Sequence, residues 1–146
     1  MRPLTGLAAN AGTFAFGIND RGDVAGSEAN TQNDTPVLWR HGGQPVSLAE
    51  TCVGLGAPIG WVVDINDSRA VLSFSNEGPA TQFFVPQLCQ RNRITFLPPL
   101  GPSGNNFPVR MNNRGVVAGY ADVATSSDIF AVHAVLWVPE RSTDCD

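Results

Sequence analysis

One phrase returns three times along the chain, and that repetition constrains the fold more than any other feature. Ile18-Asn19-Asp20-Arg21-Gly22-Asp23-Val24-Ala25-Gly26 comes back as Ile65-Asn66-Asp67-Ser68-Arg69-Ala70-Val71-Leu72-Ser73, and again as Met111-Asn112-Asn113-Arg114-Gly115-Val116-Val117-Ala118-Gly119. Asn19 and Asn66 are 47 residues apart, Asn66 and Asn112 46. A period in the forties built from strand-like segments is the size of one propeller blade. The 146 residues are one domain of three repeats, approximately 8–55, 56–100 and 101–146, with 1–7 belonging to the last.

Alternation precedes each copy. Phe14, Phe16 and Ile18 are spaced by two, as are Trp61, Val63 and Ile65, and Phe107, Val109 and Met111. A period of two marks half-buried strands, and it predicts that Phe14, Trp61 and Phe107 fill equivalent core sites. The Asn-Asp-Arg-Gly type segments read as hairpin turns, because Asn tolerates turn geometry and Gly supplies a positive φ. Arg69 stands where the other copies have Gly22 and Gly115, so the middle turn must differ or carry strain.

Third strands are expected at Thr35–Trp39, Thr81–Val85 and His133–Trp137, and fourth strands at Gln44–Leu48 and Arg93–Leu97. The third copy lacks an evident fourth strand. Leu4 stands 15 residues before Asn19 as Leu97 stands 15 before Asn112, so Pro3 to Leu7 reads as the displaced fourth strand, closing the last repeat beside Val135 to Val138. The fold class is therefore all-β, with three four-stranded repeats as propeller-type blades. Propellers usually hold four to eight blades, so two chains exchanging terminal strands would complete a six-bladed ring. A β-trefoil monomer, with three four-stranded units in a similar length, is the alternative.

The turn phrases, with His133-Ala134-Val135-Leu136-Trp137, resemble the HAF repeat, an extracellular-type repeat named for a His-Ala-Phe signature. Val135 replaces the signature Phe, and the middle copy lacks both glycines and the tryptophan. The resemblance implies a propeller-like surface module in several copies and an extracellular setting, and it carries no established chemistry.

Composition narrows the function. Charged residues make up 15% of the chain, the formal charge is −4 and the nine basic residues are scattered, so the electrostatic footprint of a nucleic-acid binder is absent. No run reaches the roughly eighteen apolar residues of a membrane span, and the N-terminus lacks a charged-then-apolar signal pattern. Cys52, Cys89 and Cys145 are too few for a zinc site of the CxxC type; Cys52 with Cys89 is the first choice for a bridge, with buried free thiols the alternative.

Arg21-Gly22-Asp23 matches an adhesion tripeptide, but it lies on the repeated turn, where turn chemistry explains it. Asp20 and Asp23 lack the spaced oxygen ligands of a calcium loop, and His41 and His133 sit at different positions in their repeats, with no nucleophile in a recognisable elbow. No catalytic residue, metal or cofactor is expected. The preferred function is a non-enzymatic recognition or scaffold module that binds a glycan or protein partner through the matching turns, at Asp20, Arg21, Asp67, Arg69, Asn113 and Arg114, as a homodimer. The rival is a small carbohydrate-active hydrolase using Asp20, Asp67 and Glu50, with Trp39, Trp61 and Trp137 as stacking platforms, though core packing is the simpler role for the tryptophans.

Overall fold

A computed structural model describes residues 1–29, 34–52, 60–75, 84–101, 105–124 and 130–139. It is all-β, with three antiparallel sheets. The first holds β1 (Thr13–Ile18), β2 (Val24–Glu28), β3 (Thr35–Trp39) and β4 (Pro45–Ser47) in chain order. The second repeats that order with β5 (Trp61–Ile65), β6 (Val71–Ser75), β7 (Val85–Gln90) and β8 (Arg93–Phe96). The third has three strands, β9 (Asn106–Met111), β10 (Val117–Ala124) and β11 (Phe130–Trp137). Helix is confined, among the described residues, to a 3-10 turn at Arg40–Gly42 and one turn at Leu48–Thr51.

The sheets stack through their faces, with β1, β5 and β9 side by side. Val71, Ile65, Val62 and Cys89 on one face of the second sheet bury against Ala25 and Leu38 of the first. One repeat later, Val117, Met111 and Trp137 of the third sheet bury with Leu72, Leu88 and Val63 of the second. The same face of each sheet therefore packs on the opposite face of the one before it. On the first sheet, the face carrying Val24, Val37 and Trp39 has Leu4 against it instead of a sheet.

Register explains why two predicted core aromatics are not in the core. Ile18, Ile65 and Met111 lie opposite Val24, Val71 and Val117, but each first strand contains a β-bulge two or three residues earlier. A one-residue bulge reverses the alternation. Phe14, Trp61 and Phe107 therefore pair with Ser27, Phe74 and Tyr120 on the other face from Ile18, Ile65 and Met111. Phe14 is 52% exposed and Trp61 43%. At Gly26 and Gly119 the bulged strand passes so close that a Cβ would lie 1.9 Å from the Phe14 carbonyl oxygen and 2.1 Å from that of Phe107, whereas the middle repeat makes its bulge with Ser73 in that place.

The third strand of the second repeat is also displaced from its expected position at Thr81–Val85, of which 81–83 lie outside the described residues. It runs Val85–Gln90, and Cys89 pairs with Val71 as Trp39 pairs with Val24 and Trp137 with Val117. A cysteine thus occupies the tryptophan position, which removed the aromatic marker. Cys89 forms a disulfide with Cys52 across 37 residues, the expected pairing; Cys145 lies outside the described residues.

The N-terminal segment does not pair beside β11 of its own chain. It crosses the first sheet: Leu4 packs on Trp39, the Trp39 indole donates to Thr5 O at 2.7 Å, Arg2 donates to Gly42 O, and the Leu7 and Ala8 amides donate to the Glu28 carboxylate. The indole and the buried Glu28 leave this segment well satisfied where it is, which outweighs an in-chain reach to the far sheet.

The disulfide closes a loop of 37 residues, and the chain-entropy relation puts its contribution at about 4 kcal/mol. Cys52→Ser with Cys89→Ser should lower the denaturant midpoint correspondingly; an unchanged midpoint would mean that the bridge adds nothing to the folded state.

Candidate functional site

The six sequence-selected residues lie on three turns of one construction. In each, the amide three residues on donates to the Asn carbonyl: Gly22 to Asn19, Arg69 to Asn66, Gly115 to Asn112. The Asn amide then bonds the carbonyl four residues on, giving a type I turn with a bulge whose fourth residue is left-handed. Gly22 and Gly115 meet that demand at φ of 74° and 78°, and Arg69 adopts it at 63°. The middle turn therefore has the same shape and carries about 1–2 kcal/mol of left-handed strain.

Each Asn side chain braces its own turn. Asn19 Oδ1 accepts from the Arg21 and Asp23 amides, Asn66 Oδ1 from Ser68 and Ala70, and Asn112 Oδ1 from Arg114 and Val116, at 2.8 to 3.1 Å. The other end reaches the next repeat, Asn19 Nδ2 to Asn66 O at 3.0 Å and Asn66 Nδ2 to Asn112 O at 3.3 Å. The neighbouring position repeats the step: the Asp20 amide donates to Asp67 Oδ1 and the Asp67 amide to Asn113 Oδ1, both at 2.9 Å. Asn113 Nδ2 returns a bond to Asp67 Oδ2. Beneath this seam Asp64 Oδ2 accepts the Met111 amide at 2.9 Å.

Asp23 is a further joint, which the sequence presented as part of a tripeptide and, with Asp20, of an incomplete calcium-loop pattern. Its side chain is fully buried; Arg69 Nε of the second repeat reaches it at 2.6 Å, and the Asn19 side chain and His41 amide also donate to it. Burial pushes its carboxyl up, but the Arg69, Asn19 and His41 bonds win and hold it below the ordinary carboxylate value. A carboxylate so enclosed is not presented to an adhesion receptor.

The seam thus consumes Asp67, Arg69 and Asn113, whereas the Arg21 and Arg114 tips stay exposed. On the same rim, Arg69 and Ser68 join Arg40, Arg91 and Asn92 around a cleft of about 200 Å³ floored by the Cys52–Cys89 bridge and Leu38. With Arg69 paired to Asp23, Arg40 and Arg91 are the lining arginines left to meet an anionic group. Arg40 and Arg91 come from the connections between third and fourth strands, whose counterpart position no repeat phrase marks. At the opposite ends of the strands Trp61, Phe74, Phe84, Phe107 and Tyr120 form a run of ring contacts 4.8 to 5.6 Å apart. Trp39 and Trp137 are buried, as packing residues should be, while Trp61 ends this aromatic run. No group of three or more His, Cys, Asp or Glu that could hold a metal is found among the described residues. The chain matches no family model, no curated protein and no solved structure.

Two outcomes follow from these bonds. Asn66→Ala strands the buried Ala70 amide and leaves the part-buried Ser68 amide and Asn112 carbonyl without their partner, and should cost about 2–3 kcal/mol, whereas Asn112→Ala, in an exposed turn where water substitutes, should cost about 1 kcal/mol or less; equal losses in urea melts would contradict the seam. For Asp23, a folded pKa below the unfolded value of about 3.9 gives stability that is complete above the unfolded pKa and lost as pH falls through the folded one. Wild type should exceed Asp23→Asn in stability at pH 7, and the two should converge below pH 4; a gap constant with pH would contradict the assignment.

Proposed function

We propose that this chain is a non-enzymatic recognition and scaffold module of propeller type, allied to the extracellular HAF repeat, whose turn rim binds the anionic groups of a glycan or protein partner. Three sheets of one strand order, each packed face-on-opposite-face against the last, support blades of a ring over the interlocked hairpins of a trefoil. The disulfide fits an oxidising compartment, which supports the extracellular setting.

The observation that carries the binding reading is the cleft with Arg40, Arg69 and Arg91 on its walls. Arg69 is tethered to Asp23, which fixes one guanidinium in place; Arg40 and Arg91 are exposed and free to turn towards a ligand. Sulfate and carboxylate groups match the paired donors of guanidinium, so acidic glycans are the ligands of choice for a first screen. The hydrolase alternative gains no support from the rim, since the Asp67 carboxylate is occupied by the Asp20 amide and the Asn113 side chain.

On a glycan array the protein should retain sulfated or uronate-rich glycans and pass over neutral ones. Arg40→Ala with Arg91→Ala should weaken that retention at least tenfold without shifting the melting temperature. Retention unaffected by the double variant, or glycosidase activity lost in Asp67→Asn, would overturn the reading.

A further inference from the structure

The N-terminal segment covers Val24, Val37 and Trp39 on the outer face of the first sheet, yet each end of the stack leaves apolar side chains exposed, and the two do so in complementary ways. Ile18 on the outer face of the first sheet is 69% exposed, although its counterparts Ile65 and Met111 are buried in the two internal interfaces. Leu136 on the outer face of the third sheet is 66% exposed, although its counterpart Leu38 is buried and Leu88 is packed in the interior. Val132 lies on that same exposed face by register, and Val138, one residue past the strand, is also exposed. Each open face is thus the half of an internal interface whose other half is at the far end of the molecule.

The strands give the same answer. The third sheet stops at β11, where the other two continue into a fourth strand. The Trp137 indole donates to Pro98 O at 2.7 Å, and the Trp39 indole donates to Thr5 O at 2.7 Å, so Leu4-Thr5, at the end of Met1–Thr5, holds the place against the first sheet that Leu97-Pro98, at the end of Ile94–Pro98, holds against the third. In that second segment Ile94 to Phe96 are also the fourth strand of the preceding sheet, paired with Cys89 to Gln87, and Leu97 donates to Pro86 O. Met1 to Pro3 have no such strand beside them among the described residues. The seam is unfinished in the same direction: the next donor in the series of Asp20 and Asp67 amides is that of Asn113, and the next acceptor is an Asp20 carboxylate.

We infer that two copies of this chain join head to tail, the outer face of each first sheet against the outer face of the partner's third, with Met1 to Pro3 of each copy added to the partner's β11 as a fourth strand. By equivalence with β7 and β8, Met1 lies opposite Trp137, Arg2 opposite Leu136 and Pro3 opposite Val135, and the Leu4 amide donates to Ala134 O. The two interfaces are the same contact related by a two-fold axis, so the assembly closes. Six sheets fall within the four to eight that propellers hold, and two copies are the fewest that reach that range. The inference rests on the blade reading above and names the partner that completes it.

Sedimentation of the 146-residue protein in the micromolar range should give twice 15.5 kDa. Ile18→Asp and Leu136→Asp, both at positions exposed in the single chain, should each halve that mass and leave the β circular dichroism spectrum unchanged. Pro3→Cys with Val135→Cys, in a Cys145→Ser background, should give a reducible link between copies on mild oxidation. A monomeric wild type, or a link formed within one chain, would overturn the pairing. If the monomer still protects its turn amides from exchange, the blade reading survives that result; if protection is lost as well, the blade reading fails with it.

Discussion

The structure depends on an asparagine that satisfies its own turn and the next repeat at once. Three sheets with few charges and short strands have little to fix their relative positions except apolar contact, and apolar contact is not directional. The Asn side chain supplies direction. Its oxygen uses two turn amides that would otherwise be orphaned, and its nitrogen fixes the next turn at a single offset. Asp20, Asp67 and Asn113 then repeat that offset one residue along. Once the turns are in line, the faces above them meet in a single register, and the two apolar interfaces form in the same way.

The middle repeat shows how far the plan can bend. It lacks the turn glycine and the tryptophan, yet it keeps both the turn and the strand order. Arg69 accepts a left-handed backbone and returns an ion pair to a buried carboxylate in the preceding sheet. Cys89 gives up the indole and gains a covalent tie to Cys52. In both places a local loss is offset by a contact between repeats, so the least regular repeat is the one most firmly joined to a neighbour.

Much of this was legible in the sequence, because the repeat fixes element order wherever its markers survive. The turns, the first and third strands of repeats one and three and the fourth strands followed from spacing and turn chemistry; the Cys52–Cys89 pair is only the first choice there, with free thiols left open, and it forms although Cys89 lies within β7 and not in a turn-rich connection. What the sequence hid has physical causes. A bulge reverses the alternation without changing the residue types, so Phe14 and Trp61 looked like core and are half exposed. Replacing an indole by a cysteine erased the marker of β7. Pro3 to Leu7 carried the pattern of its counterpart, but pattern does not say which sheet a segment lies on, and an indole hydrogen bond with a buried Glu28 holds it on the first. Of the rim residues, Asp67, Arg69 and Asn113 repeat as ligand contacts would, and the same positions carry the bonds that join one sheet to the next.

The seam can be tested directly by hydrogen exchange on the native protein. The Asp23 and Ala70 amides, bonded to Asn19 and Asn66 Oδ1, and the Asp67 amide, bonded to Asn113 across the repeat boundary, are all in turns that would exchange rapidly if the hairpins were only solvated tips. The account predicts that all three exchange as slowly as the amides of β2 and β6, through opening of the whole domain. Exchange of these amides at the rate of an unstructured loop, with the strands still protected, would contradict it.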